Sequence, residues 1–400
     1  MNKKKVAIIL IVFIAIFLTI MLVVNRDNVE ITNEVGNKSK KSNNLLTMNL
    51  EQTAGAGDYK TVTQSEWPTE GYKFNSELSR CENGSELSWD DVNKKILMSG
   101  VSADKCYVYF DIARFDKLCN TSTLACHVAK LYTGTQGENG IYYHNTSLTN
   151  GAGDNNYRYA GANPNNYICL GSDATTCPDD NLFRIIGVFG DKVKVIKDKS
   201  VVKMHWDTSN YNTWSISSLN TYLNGTYLTS IGTLSDKIDV ATWKVGGNTW
   251  DNISVSTAKE VYDYEIKNPS TTASTGETEY SAKIGLMYVS DYMFAVLQDN
   301  WTLVAYNSND ATKDYRAVKA ENWLYLGSDE YTITRSSKYS FEVFAIYSSG
   351  EVYSYSVSCN SDEPLPCSVY AKYARPSFYL ISSVEYSGGT GTSSDPIRIN

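Results

Sequence analysis

Leu182-Phe183-Arg184-Ile185-Ile186-Gly187-Val188-Phe189, then Gly190-Asp191, then Val193-Lys194-Val195-Ile196, reads as a β-hairpin: two strand-length runs around a glycine-containing turn. The first arm is apolar at nearly every position, so it is expected at the centre of a sheet. Shorter elements lie downstream. Residues 215–228 hold Leu219, Tyr222 and Leu223 behind serines suited to capping, which predicts a short helix. Residues 257–267 are a second helix candidate. Ile284-Gly285-Leu286-Met287-Tyr288-Val289-Ser290 reads as a buried strand. Residues 341–355 give two strands around the turn Ser348-Ser349-Gly350-Glu351. Ser377-Phe378-Tyr379-Leu380 gives another, and Ile397-Arg398-Ile399 a last one after a glycine-rich loop. The expectation for residues 140–400 is one large α+β domain with a mixed antiparallel sheet and a few short helices.

Upstream, residues 113–139 read as a short helical connector. Leu124, Val128 and Leu131 fall at helical spacing there, with Gly134 as a stop. Residues 61–112 read as a small β module. Its strands are expected around Tyr72 and Phe74, Leu87 and Trp89, Ile96 and Met98, and Cys106 to Phe110, with Asp90-Asp91-Val92-Asn93 as a turn. Residues 27–60 are polar and include Lys38-Ser39-Lys40-Lys41-Ser42-Asn43-Asn44, the composition of a flexible stalk. Val6 to Val24 is a run of 19 uncharged residues behind Lys3, Lys4 and Lys5. As a helix it would span about 28 Å, the thickness of a bilayer core. Residues 1–26 are therefore expected to be a signal anchor, with the N-terminus cytoplasmic and the bulk of the chain extracellular. A cleaved signal peptide is the competing reading; no A-x-A-like site follows the run.

The 400 residues carry 36 Lys+Arg and 44 Asp+Glu, so the net charge is 36 − 44 = −8, which gives no electrostatic case for binding nucleic acid. The eight cysteines allow 105 pairings. Short closed loops favour Cys81–Cys106, Cys119–Cys126, Cys169–Cys177 and Cys359–Cys367. The first would close a loop of about 25 residues and contribute roughly 3 kcal/mol by the chain-entropy estimate.

Two segments, Cys81-Glu82-Asn83-Gly84-Ser85-Glu86-Leu87-Ser88-Trp89 and Asp104-Lys105-Cys106-Tyr107-Val108-Tyr109-Phe110-Asp111, resemble a module recurrent in exported, membrane-anchored proteins of gut bacteria. The remainder resembles an uncharacterised extracellular domain placed after that module. Its matching segments lie at residues 157–167, 181–187, 283–291, 323–326 and 374–380. More remotely, an aromatic-rich stretch followed by Arg375-Pro376 is similar to the C-terminal half of C-type-lectin-like domains, which include formylglycine-generating-enzyme-like proteins. That resemblance implies a ligand-facing aromatic region. It brings no calcium site, because Glu363-Pro364-Leu365 lacks the third oxygen ligand of the lectin triplet.

No cofactor or metal motif is present in the sequence. His127, His144 and His205 are scattered, no HExxH or C-x-x-C occurs, and no nucleophile elbow or phosphate-binding glycine loop is found. The 8 Trp and 30 Tyr favour a binding surface instead. Trp301, Trp323, Tyr347, Tyr353 and Tyr355 are the candidate ligand-binding residues, against the plain alternative that they pack the sheet. The function expected is a cell-surface binding or adhesion protein for a glycan or protein ligand. The alternatives are an exported hydrolase using carboxylates such as Asp207, Asp291, Asp329 and Glu330, or a structural envelope protein.

Overall fold

The chain divides into two compact units, Met1–Arg114 and Phe115–Asn400. The structure, a computed structural model, describes residues 29–31, 45–52, 56–63, 67, 72–90, 93–101, 103–119, 121–269, 277–357 and 371–399. The anchor segment Val6 to Val24 lies outside them. Among the described residues no helix is long and apolar enough to cross a membrane.

The smaller unit is built from β1 (Val29–Ile31), β2 (Leu45–Glu51), β3 (Tyr59–Val62), β4 (Tyr72–Phe74), β5 (Arg80–Cys81), β6 (Glu86–Asp90), β7 (Lys95–Ser99) and β8 (Lys105–Ile112). They form the sheets β3-β2-β8-β4, with β5 also on β8, and β1-β7-β6. Alternation drives the burial: Cys106, Val108 and Phe110 point inward from β8, and Ile96 and Met98 from β7. The turn between β6 and β7 closes as its residue types dictate, with the Asn93 N–H donating to Asp90 Oδ1 at 3.0 Å. Cys81 and Cys106 sit directly opposite in register and are bonded.

Residues 45–51, with Tyr59 and Lys60 at the start of β3, correct the stalk reading, because they belong to this sheet. β2 lies between β3 and β8, and Met48 and Leu50 join Ile96, Val108 and Phe110 in the core. Its polar residues are paired rather than solvated. Asn49 Nδ2 donates to the Val108 carbonyl at 3.3 Å, and Glu51 Oε2 accepts the Ile112 N–H at 2.9 Å.

The larger unit opens with the short helices Phe115–Leu118 and Leu124–Lys130, read as a connector but part of this unit: the Leu124 N–H donates to the Val384 carbonyl at 2.8 Å. Its first strands are β9 (Ile141–Tyr143), β10 (Tyr157–Tyr159) and β11 (Tyr167–Cys169). The expected hairpin follows as β12 (Leu182–Phe189) and β13 (Lys192–Lys197). After β14 (Val202–Met204), β15 (Ala241–Lys244), β16 (Glu279–Ala282) and β17 (Ile284–Gly285) come β18 (Glu330–Arg335), β19 (Glu342–Ile346), β20 (Val352–Ser356), β21 (Lys372–Ala374) and β22 (Ser377–Tyr379). The main sheet runs β17-β22-β13-β12-β10-β9 with β11 on β12, so the apolar hairpin is central. Gly187 is required there: a Cβ on it would stand 2.0 Å from the Tyr157 carbonyl oxygen of the neighbouring strand. The second sheet runs β14-β21-β18-β19-β20.

The helices around residues 215–230 and 258–267 form where expected, the first capped by the Ser217 hydroxyl, which accepts the Asn220 N–H at 3.0 Å. The strand read over residues 284–290 is corrected. Only Ile284–Gly285 pairs, and Val289–Phe294 is a helix. Asp291 explains the switch: its Oδ2 accepts the Tyr288 N–H at 2.8 Å, a carboxylate closing a capping box over an apolar run. Cys119–Cys126 and Cys169–Cys177 are bonded as the spacing predicts, and Cys359 and Cys367 lie outside the described residues. The whole is an α+β protein, mostly sheet with short helices.

Candidate ligand-binding site

Three rings from three separate segments meet at the β20 edge of the second sheet, where the Val352 N–H donates to the Ala305 carbonyl at 3.1 Å. Trp250 begins the helix Trp250–Ile253, whose first turn is capped by Thr249: its hydroxyl accepts the Asn252 N–H at 3.2 Å. Tyr353 stands on the edge strand β20, opposite Ala345, and is 36 % exposed. Tyr306 comes from the loop before residues 311–313. The Trp250 ring lies 4.1 Å from Tyr353 and 5.5 Å from Tyr306, and Tyr306 lies 5.2 Å from Tyr353. They wall a pocket of about 530 Å³ whose remaining lining is Ser254, Val255, Val304, Asn307, Ser308 and Asn309. That volume is within the ordinary range for small-ligand sites.

The polar rim is held by a buried carboxylate outside the pocket. Asp314 is fully buried and accepts the Asn307 N–H at 2.7 Å, while Arg316 pairs with it at 2.6 Å and lies over the Tyr306 ring at 5.0 Å. Asn307 Oδ1 in turn accepts the Asn309 and Asp310 N–H groups at 3.0 Å. The lining residues are uncharged and include no carboxylate, histidine or cysteine. Such a pocket offers aromatic faces for stacking and amides and hydroxyls for hydrogen bonds, the means by which neutral sugar rings are held.

Of the five aromatic residues expected to bind ligand, Tyr353 alone reaches this pocket. Trp301 is fully buried, with its indole N–H donating to the Val296 carbonyl at 2.9 Å. Trp323 is 4 % exposed, donates to the Tyr159 carbonyl at 3.0 Å and lies under the Arg184 guanidinium. Both are core residues. Tyr347 and Tyr355 flank Lys372, whose Nζ lies 3.7 Å from the Tyr355 ring centre and 5.6 Å from that of Tyr347. Burial pushes the Tyr347 hydroxyl pKa up. Trp250, Tyr306 and the Asn307–Asn309 rim escape a reading of the sequence because they converge only in the fold. A sequence hint exists in Tyr306 followed directly by Asn307-Ser308-Asn309, an aromatic next to three hydrogen-bonding side chains.

The four carboxylates considered for hydrolysis are each engaged. Asp207 accepts N–H groups from Ser209, Tyr211 and Ser218. Asp291 pairs with Lys194 at 2.5 Å, Asp329 with Lys372 at 2.8 Å, and Glu330 with Arg375 at 2.5 Å. Among the described residues, the cluster with metal-ligand spacing is Cys81, Asp104 and Cys106. Its sulfurs are bonded to each other and Asp104 accepts the Asn83, Ser85 and Lys105 N–H groups, so it holds the β5–β8 corner. No protein-family model, curated protein or solved structure matches the chain.

Proposed function

We propose that the chain is a membrane-anchored, cell-surface binding protein whose larger unit takes a neutral glycan in the Trp250–Tyr306–Tyr353 pocket. The observation that carries this reading is the convergence of three rings around an uncharged, amide-rimmed cavity of about 530 Å³. The anchor part of the proposal rests on Val6 to Val24 behind three lysines. The lectin-like comparison adds fold analogy only. The Arg375-Pro376 pair that carries that comparison is not among the pocket's lining residues.

The test is retention of the full chain on neutral oligosaccharides and cell-wall polymers. Trp250→Ala and Tyr353→Ala should each weaken binding about fivefold or more, since a stacked ring is worth roughly 1 kcal/mol or more, in chains whose cooperative melting shows them still folded. Variants that bind as the parent does would remove the site. Turnover of the polymer would move the protein to the hydrolases.

A further inference from the structure

We propose that Lys194 and Asp291 are the two halves of an intramolecular amide cross-link between side chains. Lys194 Nζ stands 2.5 Å from Asp291 Oδ2, and the two side chains are 1 % and 5 % exposed. Four rings cage the amine: Tyr288 at 4.5 Å, Trp243 at 5.5 Å, Tyr379 at 5.6 Å and Phe189 at 5.7 Å from Nζ. Among the described residues this is the one contact in which a lysine and a carboxylate are both this deeply buried. Lys372–Asp329 is open on the carboxylate side. The buried pairs Arg158–Asp154 and Arg375–Glu330 use guanidinium groups, which stay protonated and do not attack carbonyl carbon.

The cage disfavours the charged pair and favours neutral products. Burial pushes the Lys194 amine down against the pull of Asp291. Nζ passes a proton to Oδ2 across the 2.5 Å contact, leaving a neutral amine and a neutral acid. The amine then attacks Asp291 Cγ, the new C–N bond forms, and a second Nζ proton leaves with the departing oxygen. One ammonium and one carboxylate become one amide and one water, with no oxidant or reductant. Holding the partners in contact supplies the orientation that a free condensation lacks.

Glu265 is placed as a positioning acid. It is buried, and it accepts the N–H groups of Val289 at 3.1 Å and Ser290 at 3.0 Å, next to Asp291 in the chain. The Thr334 hydroxyl also donates to it, so the buried carboxylate fixes the first turn of the helix that presents Asp291, and its charge acts on Lys194. The cross-link would tie β13 of the central hairpin to the helix Val289–Phe294, 97 residues apart.

The test is a tryptic map of the full, disulfide-reduced wild-type chain. The expected result is that residues 193–197, uncut after Lys194, are joined to residues 284–313, with the sum lower by about 18 Da for the water lost. Cleavage after Lys194 together with an unmodified linear 284–313 peptide would overturn the proposal, whatever any variant does. Lys194→Arg and Asp291→Ala should restore the linear peptides. Glu265→Gln should leave a large unlinked fraction in a chain that keeps its circular dichroism. Complete linkage in that variant would show that Glu265 does not position Asp291.

Discussion

His144 shows how tightly the centre of the larger unit constrains a single residue. Its Nδ1 accepts the Ala152 N–H at 3.1 Å, and its ring packs on Phe294 and Trp301 at 4.8 and 4.9 Å. Burial first, then the Arg158 charge, holds its pKa well below the ordinary imidazole value. Asp154 faces the same site. Burial pushes its carboxyl up, but the Arg158 guanidinium overrides this and holds it well below the usual carboxylate range, so it stays ionised throughout. Above about pH 6.5 the histidine is neutral in both folded and unfolded chains and contributes no pH dependence. Below that, the unfolded chain binds a proton that folded His144 refuses, so stability falls as pH falls, by up to about 1.4 kcal/mol per pH unit. His144→Asn keeps an acceptor for Ala152 and removes the titration. Glu265 titrates near the same range in both proteins and cancels in the comparison. The stability advantage of the parent over the variant should therefore shrink between about pH 7.5 and about pH 5 in urea melts. An advantage independent of pH would contradict the assignment.

At the scale of elements, the loop carrying Tyr306 depends on Asp314, which binds the Asn307 N–H and pairs with Arg316. Asp314→Asn leaves Arg316 without its charge partner and weakens the rim. It should cost about 2 kcal/mol of stability and lower retention on any oligosaccharide that the parent binds several-fold. Unchanged retention would mean the rim takes no part in binding. The β5–β8 corner gives a second expectation. Replacing Cys81 and Cys106 by serine should cost the smaller unit about 3 kcal/mol, read by chemical denaturation, and leave retention untouched. What was legible in the sequence follows from locality. The β12–β13 hairpin, the Asp90–Asn93 turn and three cysteine pairs are each set by contacts within about 25 residues. β2 escapes the sequence reading because its central place is set by parallel pairing with β8, about 60 residues on, while its local partner β3, Tyr59-Lys60-Thr61-Val62, is a short and mostly polar strand. The Val289–Phe294 helix was misread because an apolar run of seven residues fits either element, and Asp291 decides it by capping. The pocket was legible only at Tyr353, since Trp250 and Tyr306 join it from loops that no periodicity links.

Over the whole molecule, net charge and binding chemistry point in different directions. The chain carries −8, yet the pocket lining holds only aromatic, aliphatic, amide and hydroxyl groups. Charges deep in the larger unit are paired internally, as Asp154 with Arg158 and Glu330 with Arg375. A neutral ligand entering such a pocket releases no counterions and meets no unpaired charge from the lining, so its affinity should not depend on screening. Raising sodium chloride from about 0.05 M to about 0.5 M should change the affinity for a neutral oligosaccharide by less than about twofold in titration calorimetry. An anionic polymer should behave differently: an acidic chain repels it, so its weak binding should improve as salt rises. A tenfold or greater loss of affinity on adding salt would mean that ionic contacts hold the ligand, and the bound species would then be a charged one recognised elsewhere on the surface.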